Sequence, residues 1–300
     1  MDPVKVGSAI KTLRRGAGYT QHQLADLMGV TDQAVSKWER GLSVPDVSIV
    51  TKLSVLLNVD VDNLLEGNIN YLEKTWQGWL ILSENPEIFA GSEVYGKPLV
   101  YLYLSYFMLA GIGRIYIECP ERDRRWIEDN FGDGSRYGVR ICYGKPIEAK
   151  NTMVVYNNPF VYGPNLTKYF QRAMSRMNGI SILTVAKTIG GSEIKVSYDN
   201  YKMVQDAEDN GLDQFCTPVV FFPKKYFDQV EQVEDIVSLQ PLYAEPMGNG
   251  MIEYSITDED SLWDTSSFLR YLKKRMGKDV YDLREIARNR NFISLDEHGG

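Results

Sequence analysis

Apolar residues recur at helical spacing through residues 1–67, and the rhythm then changes. Val6, Ile10 and Leu13 share one face of a segment ending at Arg15, and Gly16-Ala17-Gly18 stops it. Thr20, followed three residues later by Gln23, predicts a capping box opening a second helix whose inner face is Leu24, Ala25 and Met28. Gly29 supplies the left-handed residue of a sharp turn, and Val30 is expected to plug the gap between helices. Thr31 caps a third helix, Asp32 to Arg40, ended by Gly41. Pro45-Asp46 opens a fourth, with Val47, Val50, Leu53, Leu56 and Leu57 expected inward, and a short fifth spans Val61 to Leu65. The pattern predicts an all-α, five-helix domain over residues 1–67.

From Gly78 onward, apolar runs with strand character alternate with helical stretches. Trp79 to Leu82, Ile115 to Cys119, Val139 to Tyr143, Met153 to Tyr156 and Ile180 to Ala186 read as strands. Leu99 to Ala110, Arg122 to Phe131 and Asn165 to Met177 read as helices between them. This alternation predicts an open α/β, Rossmann-like domain over residues 77–300, with a mixed, mostly parallel sheet covered on both faces. Leu65-Glu66-Gly67-Asn68-Ile69-Asn70 ends the helical part, and residues 68–76 are the linker. Ligands of such sheets sit beyond the carboxyl ends of the strands.

A net charge of −7 argues against non-specific coating of nucleic acid, but leaves room for a local DNA-reading face. Cys119, Cys142 and Cys216 lie far apart in apolar sequence, which suits buried free thiols better than a disulfide or zinc site. With only His22 and His298, mechanisms needing a carboxylate-held histidine base or several imidazoles on a metal are disfavoured. No apolar run approaches the roughly 20 residues that span a bilayer. The start, Met1-Asp2-Pro3, lacks the features of a secretory leader, so a cytoplasmic chain without a membrane partner is expected.

Two helices joined by a tight turn containing glycine form a helix-turn-helix. The run Tyr19-Thr20-Gln21-His22-Gln23-Leu24-Ala25-Asp26-Leu27-Met28-Gly29-Val30-Thr31-Asp32-Gln33-Ala34-Val35-Ser36-Lys37-Trp38-Glu39-Arg40-Gly41 closely resembles the Cro/lambda-repressor-like (XRE-type) family. The resemblance continues without a gap through the fifth helix. It implies that the third helix enters the major groove of a double-stranded operator, presenting its early residues to base edges. Thr31, Asp32, Gln33, Ser36 and Lys37 are the candidate readers: Gln33 suits adenine, and Lys37 suits guanine or a phosphate. Asp32 is awkward, because its carboxylate repels phosphate and accepts only from cytosine. The family places a phosphate anchor at Gln21, and Arg40, with Lys11, Arg14 and Arg15 behind it, is a candidate backbone contact. Trp38 reads as core. Acidic and basic residues nearly balance in this domain, so a homodimer reading two half-sites is expected.

Several segments of the second domain resemble the sugar-nucleotide pyrophosphorylases, most closely the glucose-1-phosphate thymidylyltransferases. These are Gly96-Lys97-Pro98-Leu99-Val100-Tyr101, Leu109-Ala110-Gly111-Ile112, Phe131-Gly132-Asp133-Gly134-Ser135-Arg136-Tyr137-Gly138, and Phe160 with Tyr162, Gly163 and Leu166. Trp263-Asp264-Thr265 is similar to the late "LDTGT" motif, and Asn291-Phe292-Ile293 to the tail. The family binds its triphosphate with a Gly-rich loop carrying Arg, a following Lys, and a divalent metal on two Asp. Here Ser83 to Glu93 is short, holds no Lys or Arg, and carries Glu84, Glu87 and Glu93. Asn157 stands where the first metal Asp would be, and Glu208-Asp209-Asn210 replaces the sugar-binding Glu-Lys-Pro. Of the metal pair only Asp264 remains, and a helix cap is the simpler reading of it. Lys97 reads as a residue of the fold.

The expectation is therefore a DNA-binding transcriptional regulator. Its degenerate nucleotidyltransferase-like domain would serve dimerisation or sensing of a nucleotide or sugar phosphate near Asn157 and Asp264, without catalytic residues, metal or cofactor. The alternatives are an active nucleotidyltransferase using magnesium, with an appended DNA-binding module, and an assembly scaffold whose helix-turn-helix contacts protein.

Overall fold

A computed structural model describes residues 2–16, 19–57, 59, 61–67, 75–185, 195–199, 202–204, 214–231, 235, 242–247, 251–277, 279–290 and 292–293. The first domain is five helices: α1 (Pro3–Gly16), α2 (Gln21–Met28), α3 (Asp32–Glu39), α4 (Val47–Leu56) and α5 (Val61–Glu66). Local chemistry sets their ends. Thr20 and Gln23 form the reciprocal capping box, Gly29 closes α2 in the left-handed region at φ 69°, and Thr31 accepts from the Ala34 amide. Asp46 caps α4 through the Ile49 amide. Val6, Ile10, Leu13, Leu24, Val35, Trp38, Val50, Leu53, Leu57 and Leu64 make one core, with Val30 packed against it. At the crossing of α1 and α3, a Cβ added to Gly7 would lie 2.0 Å from the Trp38 carbonyl oxygen, so only glycine allows this approach. Val47, expected inward, is 81% exposed. The buried stripe of α4 is Ile49, Val50, Leu53 and Leu57, and position 47 lies about 100° around the helix from its centre.

The second domain is built on a nine-stranded mixed sheet. Its strands are β1 (Trp76–Ile81), β4 (Arg114–Glu118), β5 (Arg140–Tyr143), β6 (Asn151–Val155), β8 (Ile180–Val185), β9 (Lys195–Asp199), β10 (Lys202–Val204), β11 (Gln214–Phe222) and β12 (Leu242–Pro246). They run in the order β5-β4-β1-β6-β11-β8-β12-β10-β9. β5, β4, β1 and β6 are parallel, β11 is antiparallel to both β6 and β8, and β12 returns parallel to β8. Two short pairs flank the sheet: β2 (Glu93–Val94) with β3 (Lys97–Pro98), and β7 (Pro159–Tyr162) with β13 (Ile252–Ser255). The helices are α6 (Leu99–Ala110), α7 (Glu121–Phe131), α8 (Leu166–Ser175), α9 (Glu259–Met276) and α10 (Leu283–Asn289).

Alternation along the strands divides the core into two layers. Leu80, Ile115, Ile117, Met153 and Val155 face the cluster formed with α6, whose side chains are buried nearly all round. Trp79, Tyr116, Val154, Ile182 and Val220 face the opposite layer. Burial on both faces explains why the central strands read as continuous apolar runs. All three cysteines are free; Cys216 is buried, Cys119 and Cys142 are partly so, and burial pushes the Cys119 and Cys216 thiols up to about 12. Among the described residues, no helix is long and apolar enough to cross a membrane.

Candidate nucleic-acid interface and strand-end crevice

The capped turn between α2 and α3 sets α3 at the surface with Val35 and Trp38 inward. Asp32, Gln33, Lys37 and Arg40 are exposed and Ser36 is half-buried, all on the outer side. Gln33 and Lys37 make no side-chain hydrogen bond among the described residues, which leaves both available to a partner. Thr31 is engaged as the cap, and Arg40 donates from Nε to the Ser36 carbonyl at 3.2 Å.

Beneath this surface lies a tie that the sequence did not disclose. Arg14 forms a buried two-pronged ion pair with Glu39, and its Nη1 donates to the Tyr19 carbonyl. Gln21 donates from Nε2 to the same Glu39 carboxylate at 2.7 Å. One carboxylate thus joins α1, α2 and α3. Arg14 is therefore a structural residue rather than a candidate backbone contact, because its guanidinium is enclosed and paired. Gln21 keeps its expected place at the start of α2, held there by Glu39. On the outer side, His22 faces two acids: Nδ1 lies 3.1 Å from both Asp32 oxygens, and Nε2 lies 3.6 Å from Asp26.

In the second domain the segment after β1 is fastened down. Asn85 Oδ1 accepts from the Glu87 and Ile88 amides, and its Nδ2 donates to the Thr257 carbonyl at 2.9 Å. Arg122 donates to the carbonyls of Asn85 and Ile88 and lies over the Phe89 ring, and buried Asp123 accepts from the Ala90 amide at 2.6 Å. Ile88 and Ala90 are buried, whereas Glu84, Glu87 and Glu93 are exposed. The arginine touching the loop is thus engaged by loop carbonyls rather than turned to the crevice.

Asn157 and Asn158 make the turn from β6 to β7 with φ of 54° and 48°, a conformation asparagine tolerates better than most residues. The Ile256 amide donates to the Asn158 carbonyl, and Ser255 is registered opposite Pro159. The strand that comes beside Asn157 therefore ends on Ser255. Asp264 lies inside α9, exposed, and Trp263 is 69% exposed. The cap reading of Asp264 is corrected: Asp258 caps α9, in a capping box with Ser261. Asn157 and Ser255 are neutral and do not suit a divalent magnesium ion. Among the described residues, no group of three or more His, Cys, Asp or Glu is placed to hold a metal. Residues Glu208, Asp209, Asn210 and His298 lie outside the described residues.

Lys97 and the Phe131–Gly138 turn are engaged within the fold. Lys97 pairs with Asp282 at 3.4 Å and lies over the Tyr101 ring. In the Phe131–Gly138 turn, Gly138 has φ 69°, and a Cβ there would lie 2.0 Å from the Phe292 carbonyl oxygen, so the turn is a seat for the tail. A cavity of about 350 Å³ opens elsewhere, where Arg15 of α1 meets Tyr162, Asn165, Asp282, Glu285 and Arg290 of the second domain. Burial lowers the Arg290 guanidinium to about 10, and it donates to the Leu109 carbonyl.

The two halves define two classes: a helix-turn-helix domain, and an α/β domain of the nucleotidyltransferase fold. A helix-turn-helix family model matches residues 10–64. The SPbeta prophage-derived uncharacterized HTH-type transcriptional regulator YonR of Bacillus subtilis is 35% identical over 103 residues, covering 33% of this chain and 92% of the relative. The chain belongs to the helix-turn-helix family through this amino-terminal part. Its second part is similar to glucose-1-phosphate thymidylyltransferases. That of Xanthomonas campestris is 23% identical over 238 residues, covering 68% of this chain and 81% of the relative. That of Neisseria meningitidis is 22% identical over 235 residues, covering 67% and 82%. A solved structure of a Bacillus anthracis protein assigned as a glucose-1-phosphate thymidylyltransferase, in complex with sucrose, matches with a TM-score of 0.51 and 12% identity. It covers 65% of this chain and 95% of that one, and the likeness is one of fold.

Proposed function

We propose that the chain is a sequence-specific transcriptional regulator whose nucleotidyltransferase-like domain does not catalyse. One observation carries this reading: Gln33 and Lys37 on the outer side of α3 are available, while the segment after β1 is held to the turn before α9 and brings no Lys or Arg to the strand ends. Transfer to a triphosphate needs cations and preorganised donors held around the phosphates. At this crevice the loop presents Glu84 and Glu87 outward, Arg122 is bound to loop carbonyls, and neutral Asn157 and Ser255 stand at the strand ends. Thr31, Asp32, Gln33, Ser36, Lys37, Arg40 and Gln21 form the DNA-reading set, on a homodimer acting in the cytoplasm. The α/β domain then supplies the dimer contact and a sensing site for a nucleotide or sugar phosphate. The junction cavity is the place for such a site because Arg15 of the DNA-binding domain lines it together with Arg290 and the acids Asp279, Asp282 and Glu285 of the second domain, whereas Asp264 lies on an outer helix face. A ligand there alters operator affinity only if it binds two arrangements of the domains unequally.

Two measurements test the reading. Selection from random duplexes should yield a preferred site bound by the full chain, and Gln33→Ala with Lys37→Ala should abolish the preference while the fold is kept. No pyrophosphate release is expected from any pairing of nucleoside triphosphates and sugar-1-phosphates with magnesium. Turnover would instead establish the transferase with an appended DNA-binding module, which the likeness in sequence and fold to the thymidylyltransferases favours.

A further inference from the structure

Asp32 is the first residue of α3, where a bare carboxylate opposes approach to phosphate. The structure places a titratable partner beside it. His22 of α2 places Nδ1 at 3.1 Å from both Asp32 oxygens, and turns its other nitrogen, Nε2, to Asp26 at 3.6 Å. Nδ1 is within hydrogen-bond distance of Asp32, while Asp26 lies at ion-pair distance from Nε2, so both acids favour the imidazolium form. Asp26 from the ring's own helix and Asp32 from the next are the charged groups that act on it. The hydrogen bond to Asp32, then the charges of both acids, raise the His22 pKa.

Resting on the DNA-binding reading above, we propose that His22 is a positioning residue for base recognition: its imidazolium clamps the Asp32 carboxylate, neutralises it toward the phosphates, and aims it to accept from a cytosine amino group. The same clamp makes operator affinity depend on pH. On deprotonation the ring loses its positive charge between the two acids, and the α2–α3 surface facing DNA becomes more negative by one unit. Affinity then falls as pH rises through the His22 titration.

The test uses the full chain and a duplex selected from random sequence at pH 6, titrated by fluorescence anisotropy at fixed ionic strength. Wild-type affinity should tighten about three- to tenfold as pH falls from about 8.5 to about 6. His22→Gln should bind with little pH dependence, near the wild-type level at high pH. Asp32→Asn should lose both the pH dependence and the preference for cytosine at one position. A reading independent of DNA is the His22 imidazole titration by NMR in a His298→Gln chain, whose midpoint should drop when Asp32→Asn is added. Unchanged pH dependence in His22→Gln, or an unmoved midpoint in Asp32→Asn, overturns the assignment. Absence of site-selective binding at every pH overturns the DNA-binding reading itself, whereas site-selective but pH-independent binding overturns only the role of His22.

Discussion

Asn85 Nδ2 donates to the Thr257 carbonyl at 2.9 Å, joining the segment after β1 to the turn that leads into α9. These residues are 172 apart in the chain, and the bond crosses the region where an open α/β sheet of this kind presents its ligand site. The same side chain organises its own loop through the Glu87 and Ile88 amides. A tie that is both local and long-range fixes the segment after β1 against the turn before α9.

Asn85→Ala removes three hydrogen bonds at once. Each net bond contributes about 1 kcal/mol, so a loss of about 2 kcal/mol is expected after partial replacement by water. Urea unfolding of the α/β domain checks this. Pyrophosphate release should stay absent in the variant, because loosening the loop creates no cation and no metal ligand.

Glu39 joins three helices through Arg14 and Gln21. Glu39→Gln strips the charge from a pair whose side chains are almost fully enclosed, leaving a buried guanidinium uncompensated. The first domain should lose about 3 kcal/mol, seen as a separate early transition in thermal unfolding. The double change Arg14→Met with Glu39→Met should recover most of that loss, since an apolar pair leaves no charge unpaired.

Features written in a few neighbouring residues were legible from the sequence. The Thr20–Gln23 box, the Gly29 turn, the Thr31 cap and the apolar runs of the central strands all depend on local spacing, and each is where it was expected. Features that join distant segments were not. Nothing local to Arg14 names Glu39, and Arg14 was read as a contact to the DNA backbone, although each directly follows a core residue, Leu13 and Trp38. Val47 was misplaced because the first turn of α4 was counted into its buried stripe. Asp264 was assigned from a three-residue string, while Leu262, Thr265, Leu269 and Leu272 repeat at helical spacing through it. That period was the available signal that the preceding strand, ending on Ser255, is the one beside Asn157.

Gln33 and Arg40 should separate base reading from backbone binding. Gln33→Ala removes a side chain able to pair bidentately with adenine, so it should cost about 1–3 kcal/mol at the preferred site and relax the preference there. Arg40→Ala should weaken binding to all duplexes alike and lower the slope of log affinity against log salt by about one. Titrations at three salt concentrations, on the selected site and on a scrambled duplex, distinguish the two behaviours.

Glu253 makes stability itself a function of pH. The residue is 1% exposed on β13, and neither carboxyl oxygen has a hydrogen-bond partner among the described residues. Burial raises it from 4.5 to about 7, so the folded domain holds a proton that the unfolded chain releases at lower pH. The sign follows from linkage: between about pH 4.5 and 7 the native state binds more protons, and stability falls as pH rises through that window. The full effect is about 3 kcal/mol, complete above pH 7 and absent below the unfolded value. Glu253→Gln is neutral at every pH. It should therefore match wild type near pH 4 and exceed it by about that amount at pH 8. Paired urea titrations of the two chains across the window isolate this group from every other titration, because only the difference between the curves is read.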